Sequence, residues 1–141
     1  MRKPIRQQSR GITLIELLVV MVIIALFATL VGLGLFRHIG TARQTVAKEQ
    51  ISNFKTALDF FKLDVGRYPT TEEGLQALRV KPAAVENWES PYLKDDVPLD
   101  PWGHTYVYRS PGQHGDFDLI SYGADGQEGG EGENADIKNW K

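Results

Sequence analysis

Residues 10–36 read RGITLIELLVVMVIIALFATLVGLGLF, and the order of the parts in this stretch decides what kind of chain it belongs to. From Leu17 to Phe36 there is no charge, and Thr29 is the only conventionally polar side chain in those twenty residues. A helix of about twenty residues rises about 30 Å, the hydrocarbon thickness of a bilayer, and a helix apolar on every side does not suit the surface of a soluble domain. Ahead of the run, Arg2, Lys3, Arg6 and Arg10 supply four positive charges and no acid, the asymmetry that holds a segment on the cytoplasmic side. The rest of the chain is therefore expected to be exported. An ordinary secretory signal is cut after its apolar core. Here the break candidate, Gly11, precedes the core, so cutting there would leave the anchor on the mature protein.

Glu16 is the one ionisable residue between Ile12 and Phe36. A lone charge in hydrocarbon costs at least about 2.5 to 3.5 kcal/mol, so it needs a partner or a route to water. Two readings stand: the carboxylate snorkels to the headgroups of an uncleaved anchor, or cleavage after Gly11 creates an ammonium at Ile12 that answers it.

The 141 residues have room for one domain. Losing the four basic residues ahead of Gly11 takes the formal net charge from −2 to −6, which leaves an acidic exported body with no basic stripe and so no nucleic-acid partner. With no cysteine, no disulfide can brace it.

Beyond Phe36, Ala47, Ile51, Phe54, Leu58, Phe61 and Val65 recur at steps of four and three, an amphipathic helical stripe. No proline interrupts residues 12 to 68, so one helix of about 53 residues, near 80 Å, is predicted. Gly32 and Gly34 each weaken it by about 1 kcal/mol relative to alanine, either as a place of local melting or as a site of close helix packing. Gly66 and Pro69 supply the stop. Thr70 with Glu73 fits a capping box opening a short helix through about Arg79. Asp100-Pro101-Trp102-Gly103 signals a turn; His104 to Arg109 and Phe117 to Tyr122 then form an antiparallel hairpin, with one more short strand near Val97. His104 and His114 sit beside turns without a matching catalytic constellation, and Trp88, Trp102 and Trp140 read as core packing. No enzyme is indicated.

Residues 125–136 hold Asp125, Glu128, Glu131, Glu133 and Asp136, with glycines at 126, 129, 130 and 132 and no basic residue. By composition alone this is an acidic flexible tail. A hard cation would remove the repulsion, and calcium accepts oxygens from carboxylates and from glycine-loop carbonyls, although the spacing is not that of an EF-hand.

Arg10-Gly11-Ile12-Thr13-Leu14-Ile15-Glu16-Leu17 resembles the class III signal of type IV prepilins and pseudopilins. Arg67 to Leu75, the Asp-Pro-Trp-Gly turn, Ser121 to Gly126 and Ala135 to Trp140 together resemble the major pseudopilins of bacterial type II secretion systems. That resemblance implies an α+β, type IV pilin-like fold: a long N-terminal helix packed on a small antiparallel sheet, with a short helix and a C-terminal metal-binding loop. It implies a leader, residues 1–11, removed by a prepilin peptidase between Gly11 and Ile12, and methylation of Ile12, where the family usually has phenylalanine. It implies a transmembrane assembly helix over 12–36 in the inner membrane and a periplasmic domain over 37–141. Glu16 would face the amino terminus of a neighbouring copy. Calcium would be held by Asp125 and Asp136, with the carbonyls of Tyr122 and Gln127 and with Asn134 as a further ligand, in place of the disulfide of many major pilins; Glu128, Glu131 and Glu133 would stay solvated, and Ile137 and Trp140 would pin the loop to the sheet. The implied function is the structural subunit of a periplasmic pseudopilus, a homopolymer working with minor pseudopilins, membrane lipid, an inner-membrane platform and a secretin to export folded proteins. The rivals are a surface-fibre or DNA-uptake pilin and, more distantly, a membrane-anchored exported enzyme or calcium-binding protein that never polymerises.

Overall fold

A computed structural model describes residues 11–89 and 91–141, with the backbone alone described for 30–39. The chain divides into two compact units, Met1–His38 and Ile39–Lys141. The helix α1 is assigned from Leu14 to Val65, 52 residues, close to the predicted bounds.

In the first unit, Thr13 caps α1. Its Oγ1 accepts a hydrogen bond from the Glu16 amide at 3.3 Å, satisfying one of the free donors of the first turn. Every described side chain from Gly11 to Thr29 is exposed, including Leu14, Ile15, Leu26 and Phe27. Among the described residues no helix is long and apolar enough to cross a membrane. The side chains of residues 30–39, which complete the expected span and include the surroundings of Gly32 and Gly34, lie outside the described residues, as does the expected leader up to Arg10.

In the second unit the predicted stripe becomes the core. Ala47, Ile51, Phe54, Leu58 and Phe61 are buried and Val65 packs beside them; each large side chain so buried contributes about 1.5 to 3 kcal/mol. Phe54 meets Tyr106 edge-on at 5.1 Å, and Phe61 meets Tyr92 at 5.5 Å, geometries that aromatic quadrupoles favour. Trp88 packs against this core and donates from Nε1 to the Ala77 carbonyl at 2.9 Å. The helix stops where Gly66 takes φ +86°, its amide bonded to the Lys62 carbonyl at 2.8 Å. A left-handed residue of this kind ends helices because only glycine adopts it without strain.

The capping box forms reciprocally: Glu73 N donates to Thr70 Oγ1 at 3.2 Å, and Thr70 N to Glu73 Oε2 at 2.8 Å. The helix expected from there through Arg79 does not form. In its place a turn leads into the 3₁₀ segment Leu75–Leu78, because Gly74 at φ +59° interrupts the α conformation. Leu75 and Leu78 are buried. Arg67 clamps Glu73 with two bonds of 2.7 Å; this bidentate contact is the main reason the Glu73 carboxyl lies below its ordinary value, against the effect of burial.

The sheet is antiparallel in the order β1 (Val107–Arg109), β2 (Asp118–Ser121), β3 (Ile137–Lys138). Val107 pairs with Ile120, Tyr108 with Leu119 and Arg109 with Asp118, which is the predicted hairpin with shorter arms. The strand expected near Val97 is not there: among the described residues that segment is irregular, and Pro98 has no amide with which to join a ladder. The third strand comes from the C-terminus, pairing Ile120 with Lys138 and Ser121 with Ile137. Asn139 extends it, since its amide donates to Leu119 O at 3.1 Å while its side-chain Oδ1 accepts from Leu119 N at 2.7 Å. Its Nδ2 donates to Phe117 O at 3.0 Å.

Candidate functional site

The candidate residues fall in two regions, one in each unit. In the N-terminal unit Gly11, Ile12 and Thr13 precede α1 outside any regular element, and Glu16 lies in its first turn, exposed. A carboxylate there is favoured by the positive end of the helix dipole. Between Ile12 and Thr29 it is the one charge on a helix whose described side chains are otherwise almost all apolar.

The C-terminal loop is anchored at its start by Asp100. That carboxylate is 4% exposed and gathers three donors: Trp102 N at 3.1 Å and His104 N at 2.8 Å on Oδ1, and Ser121 Oγ at 2.6 Å on Oδ2. The turn through Asp100-Pro101-Trp102-Gly103 is thus tied to the end of β2, where the loop begins. The His104 ring holds the next step, with Nδ1 3.1 Å from Gly123 O. Gly123 takes φ +65°, and a Cβ there would come within 2.7 Å of the Glu133 carbonyl, so the loop's two ends close on each other only because this residue is glycine. Ala124 N completes the closure on Glu133 O at 3.0 Å.

Within the loop, Asp125 Oδ1 accepts from Gln127 N at 3.1 Å, and Asp125 and Gln127 are exposed. Asp136 is different. Its side chain is 4% exposed, its two oxygens accept from Gly129 N at 3.1 and 3.0 Å, and Lys138 Nζ lies 3.2 Å from Oδ2. Asn134 is exposed, its backbone packed so closely on Gly130 that a Cβ there would overlap it. The loop also rests on α1: Gln44 Nε2 donates to Gly132 O, and a Cβ on Gly40 would overlap the Glu133 side chain. Tyr122 and Asp136 line one cleft of about 150 Å³ together with Glu128, His114 and Lys138, whereas Asp125, Gln127 and Asn134 do not line it. Among the described residues no three acidic, histidine or cysteine side chains form a group that could hold a metal by themselves.

The far end of the loop is pinned at both expected residues. Ile137 is buried in the sheet, and the Trp140 ring stacks on His114 at 4.1 Å with the planes 7° apart. His114 Nδ1 lies 3.1 Å from the buried Asp118 carboxylate. Burial pushes that carboxyl up, but the amides of Gln113 and His114 and the His114 ring outweigh it and hold it below its ordinary value. Three residues escaped the sequence reading: Asp100, whose only signal was its place before Pro-Trp-Gly; Asn139, which imitates a strand residue; and Lys138, a cation two positions from Asp136.

Comparison with known proteins matches residues 34–140 to the family model described as type II secretion system (T2SS), protein G. The chain belongs to that family. Residues 6–32 match the prokaryotic N-terminal methylation motif, so the two matches cover both units. The type II secretion system core protein G of Pseudomonas aeruginosa is 46% identical over 138 residues, spanning 96% of this chain and 97% of the relative. Its counterpart in Vibrio cholerae serotype O1 is 47% identical over 141 residues, spanning 98% and 95%. Among solved structures, the major pseudopilin from the type 2 secretion system of enterohaemorrhagic Escherichia coli superimposes with a TM-score of 0.61 at 38% identity, over 71% of this chain and 88% of that one. The pilin-like fold, a long helix with a small antiparallel sheet, is the one that match shows.

Proposed function

We propose that this chain is the major structural subunit of a type II secretion pseudopilus, polymerising through its N-terminal helix in the periplasm so that folded proteins are driven across the outer membrane. It is a structural protein of its family and not an enzyme. The observation that carries the reading is the pairing of a family match over residues 34–140, and of relatives aligned along nearly the whole chain, with an N-terminal helical stretch up to Thr29 whose described side chains are exposed and almost all apolar. A surface of that kind in one copy is covered by lipid before assembly and by other copies after it.

Three finer parts belong to the same proposal. Residues 1–11 are a leader removed after Gly11, residues 12–36 anchor the subunit in the inner membrane, and Ile12 is methylated; the match to the methylation motif supports this. Glu16 meets the amino terminus of a neighbouring copy, neutralising both charges, which is supported by its isolation on an apolar helix and by the cost of leaving it unpaired. The loop takes calcium through Asp125 and Asp136 with the carbonyls of Tyr122 and Gln127 and with Asn134. The donors are all oxygens, as a hard cation requires, and the buried Asp136 carboxylate gives the site a fixed anionic anchor. Bound calcium would supply the charge that lets the acidic strands of the loop lie together. The partners in this scheme are further copies, minor pseudopilins, the prepilin peptidase, the inner-membrane platform and the secretin. Deletion of the gene should trap exported enzymes in the periplasm and the wild-type gene should release them; normal secretion in the deletion strain would refute the proposal.

A further inference from the structure

The Asp136 carboxylate is almost wholly buried, yet it already has a cation: Lys138 Nζ at 3.2 Å, on a side chain 37% exposed. The same ammonium lies 5.6 Å from the centroid of the Trp140 ring, within the range of a cation–π attraction. Lys138 is exposed on β3, where its backbone pairs with Ile120, so the stem is fixed while the four-carbon arm is free to swing. We propose that Lys138 is a tethered counter-ion that competes with calcium for Asp136 and sets the concentration at which the loop fills.

This role rests on the calcium reading of the loop, and its physical basis is charge. A buried carboxylate without a cation is costly, and the Lys138 ammonium and the Gly129 amide share that burden. A divalent cation on the same oxygens would repel the ammonium, which lies 3.2 Å from Oδ2, because like charges sharing a poorly solvated carboxylate oppose each other. Lys138 must then leave Asp136, and the Trp140 ring stands beside its path. Each binding event therefore includes the breaking of an ion pair.

The test compares wild-type full-length protein with Lys138→Met and Lys138→Arg, purified in detergent, by calorimetric titration with calcium chloride and by melting in chelator. Lys138→Met keeps the apolar arm and removes the charge. It should bind calcium about fivefold more tightly, the worth of a partly exposed ion pair, and melt about 4 °C lower in chelator. Lys138→Arg should stay near wild type in both. Equal or weaker calcium binding by Lys138→Met, or an unchanged melting point in chelator, would overturn the counter-ion role while leaving the calcium site standing. Calcium binding by neither protein would overturn both.

Discussion

Replacing Asp100 by alanine tests whether the loop is positioned from the turn that faces it. The carboxylate accepts from two backbone amides and from Ser121 Oγ, and hydrogen bonds to a charged acceptor contribute about 1.5 to 3 kcal/mol each. Asp100→Ala relieves the desolvation of a buried charge, and the amides of the partly buried Trp102 and His104 can find water. Ser121 cannot, being fully buried. The net loss is then about 3 to 5 kcal/mol of stability. Asp100→Asn keeps an acceptor for the amides and turns a donor toward Ser121 Oγ, which can accept, so it should cost about 1 to 2 kcal/mol. In a Ser121→Ala background the cost of Asp100→Ala should shrink by about 1 to 2 kcal/mol, since the orphaned hydroxyl is already gone. Urea unfolding at 25 °C, followed by tryptophan emission and by circular dichroism, measures all four variants. Asp100→Ala within about 1 kcal/mol of wild type, or Asp100→Asn as damaging as Asp100→Ala, would refute the hub.

Acid should destabilise the globular unit in a defined window. The Glu73 and Asp118 carboxyls are held below their ordinary values of 4.5 and 3.8, so the stability they contribute is complete above those values and is lost as pH falls through the lowered folded ones. Melting points should hold from pH 7 to about 5 and drop toward pH 3; Glu73→Gln should flatten that acid limb, and a limb unaltered by it would rule Glu73 out. Calcium chelation or Asp125→Ala should lower the melting temperature of the wild-type protein by linkage, with a hundredfold excess over Kd worth about 2.7 kcal/mol; identical melts with calcium and with chelator would remove the metal. Glu16→Ala should leave membrane extraction unchanged and reduce filament yield, and filaments at the wild-type level would remove the pairing of charges.

The parts legible in the sequence were those written in one local pattern. The stripe from Ala47 to Phe61 fixed a helix face because the 3.6-residue period is a property of the chain itself, and Gly66 and the Thr70–Glu73 box marked their turns because capping is a matter of nearest neighbours. The short helix gives way at Gly74, because the Thr70–Glu73 capping pattern carries no signal of the positive φ that comes next. The third strand was misplaced because β3 is two residues long and is held by the Asn139 side chain rather than by an alternating run. For the candidate site, the acidic run of the sequence points to Asp136, but its near-complete burial and its pairing with Lys138 depend on β3 docking beside β2. Asp100 was hidden for the same reason, its partner Ser121 lying 21 residues away.

Assembly in this scheme depends on a leader that is cut off before the helix joins its neighbours. The intact mass of the protein extracted from membranes of a secreting cell measures this directly. It should correspond to a chain beginning at Ile12 and carrying one methyl group, and a mass that retains Met1 to Gly11 on protein still supporting export would contradict it.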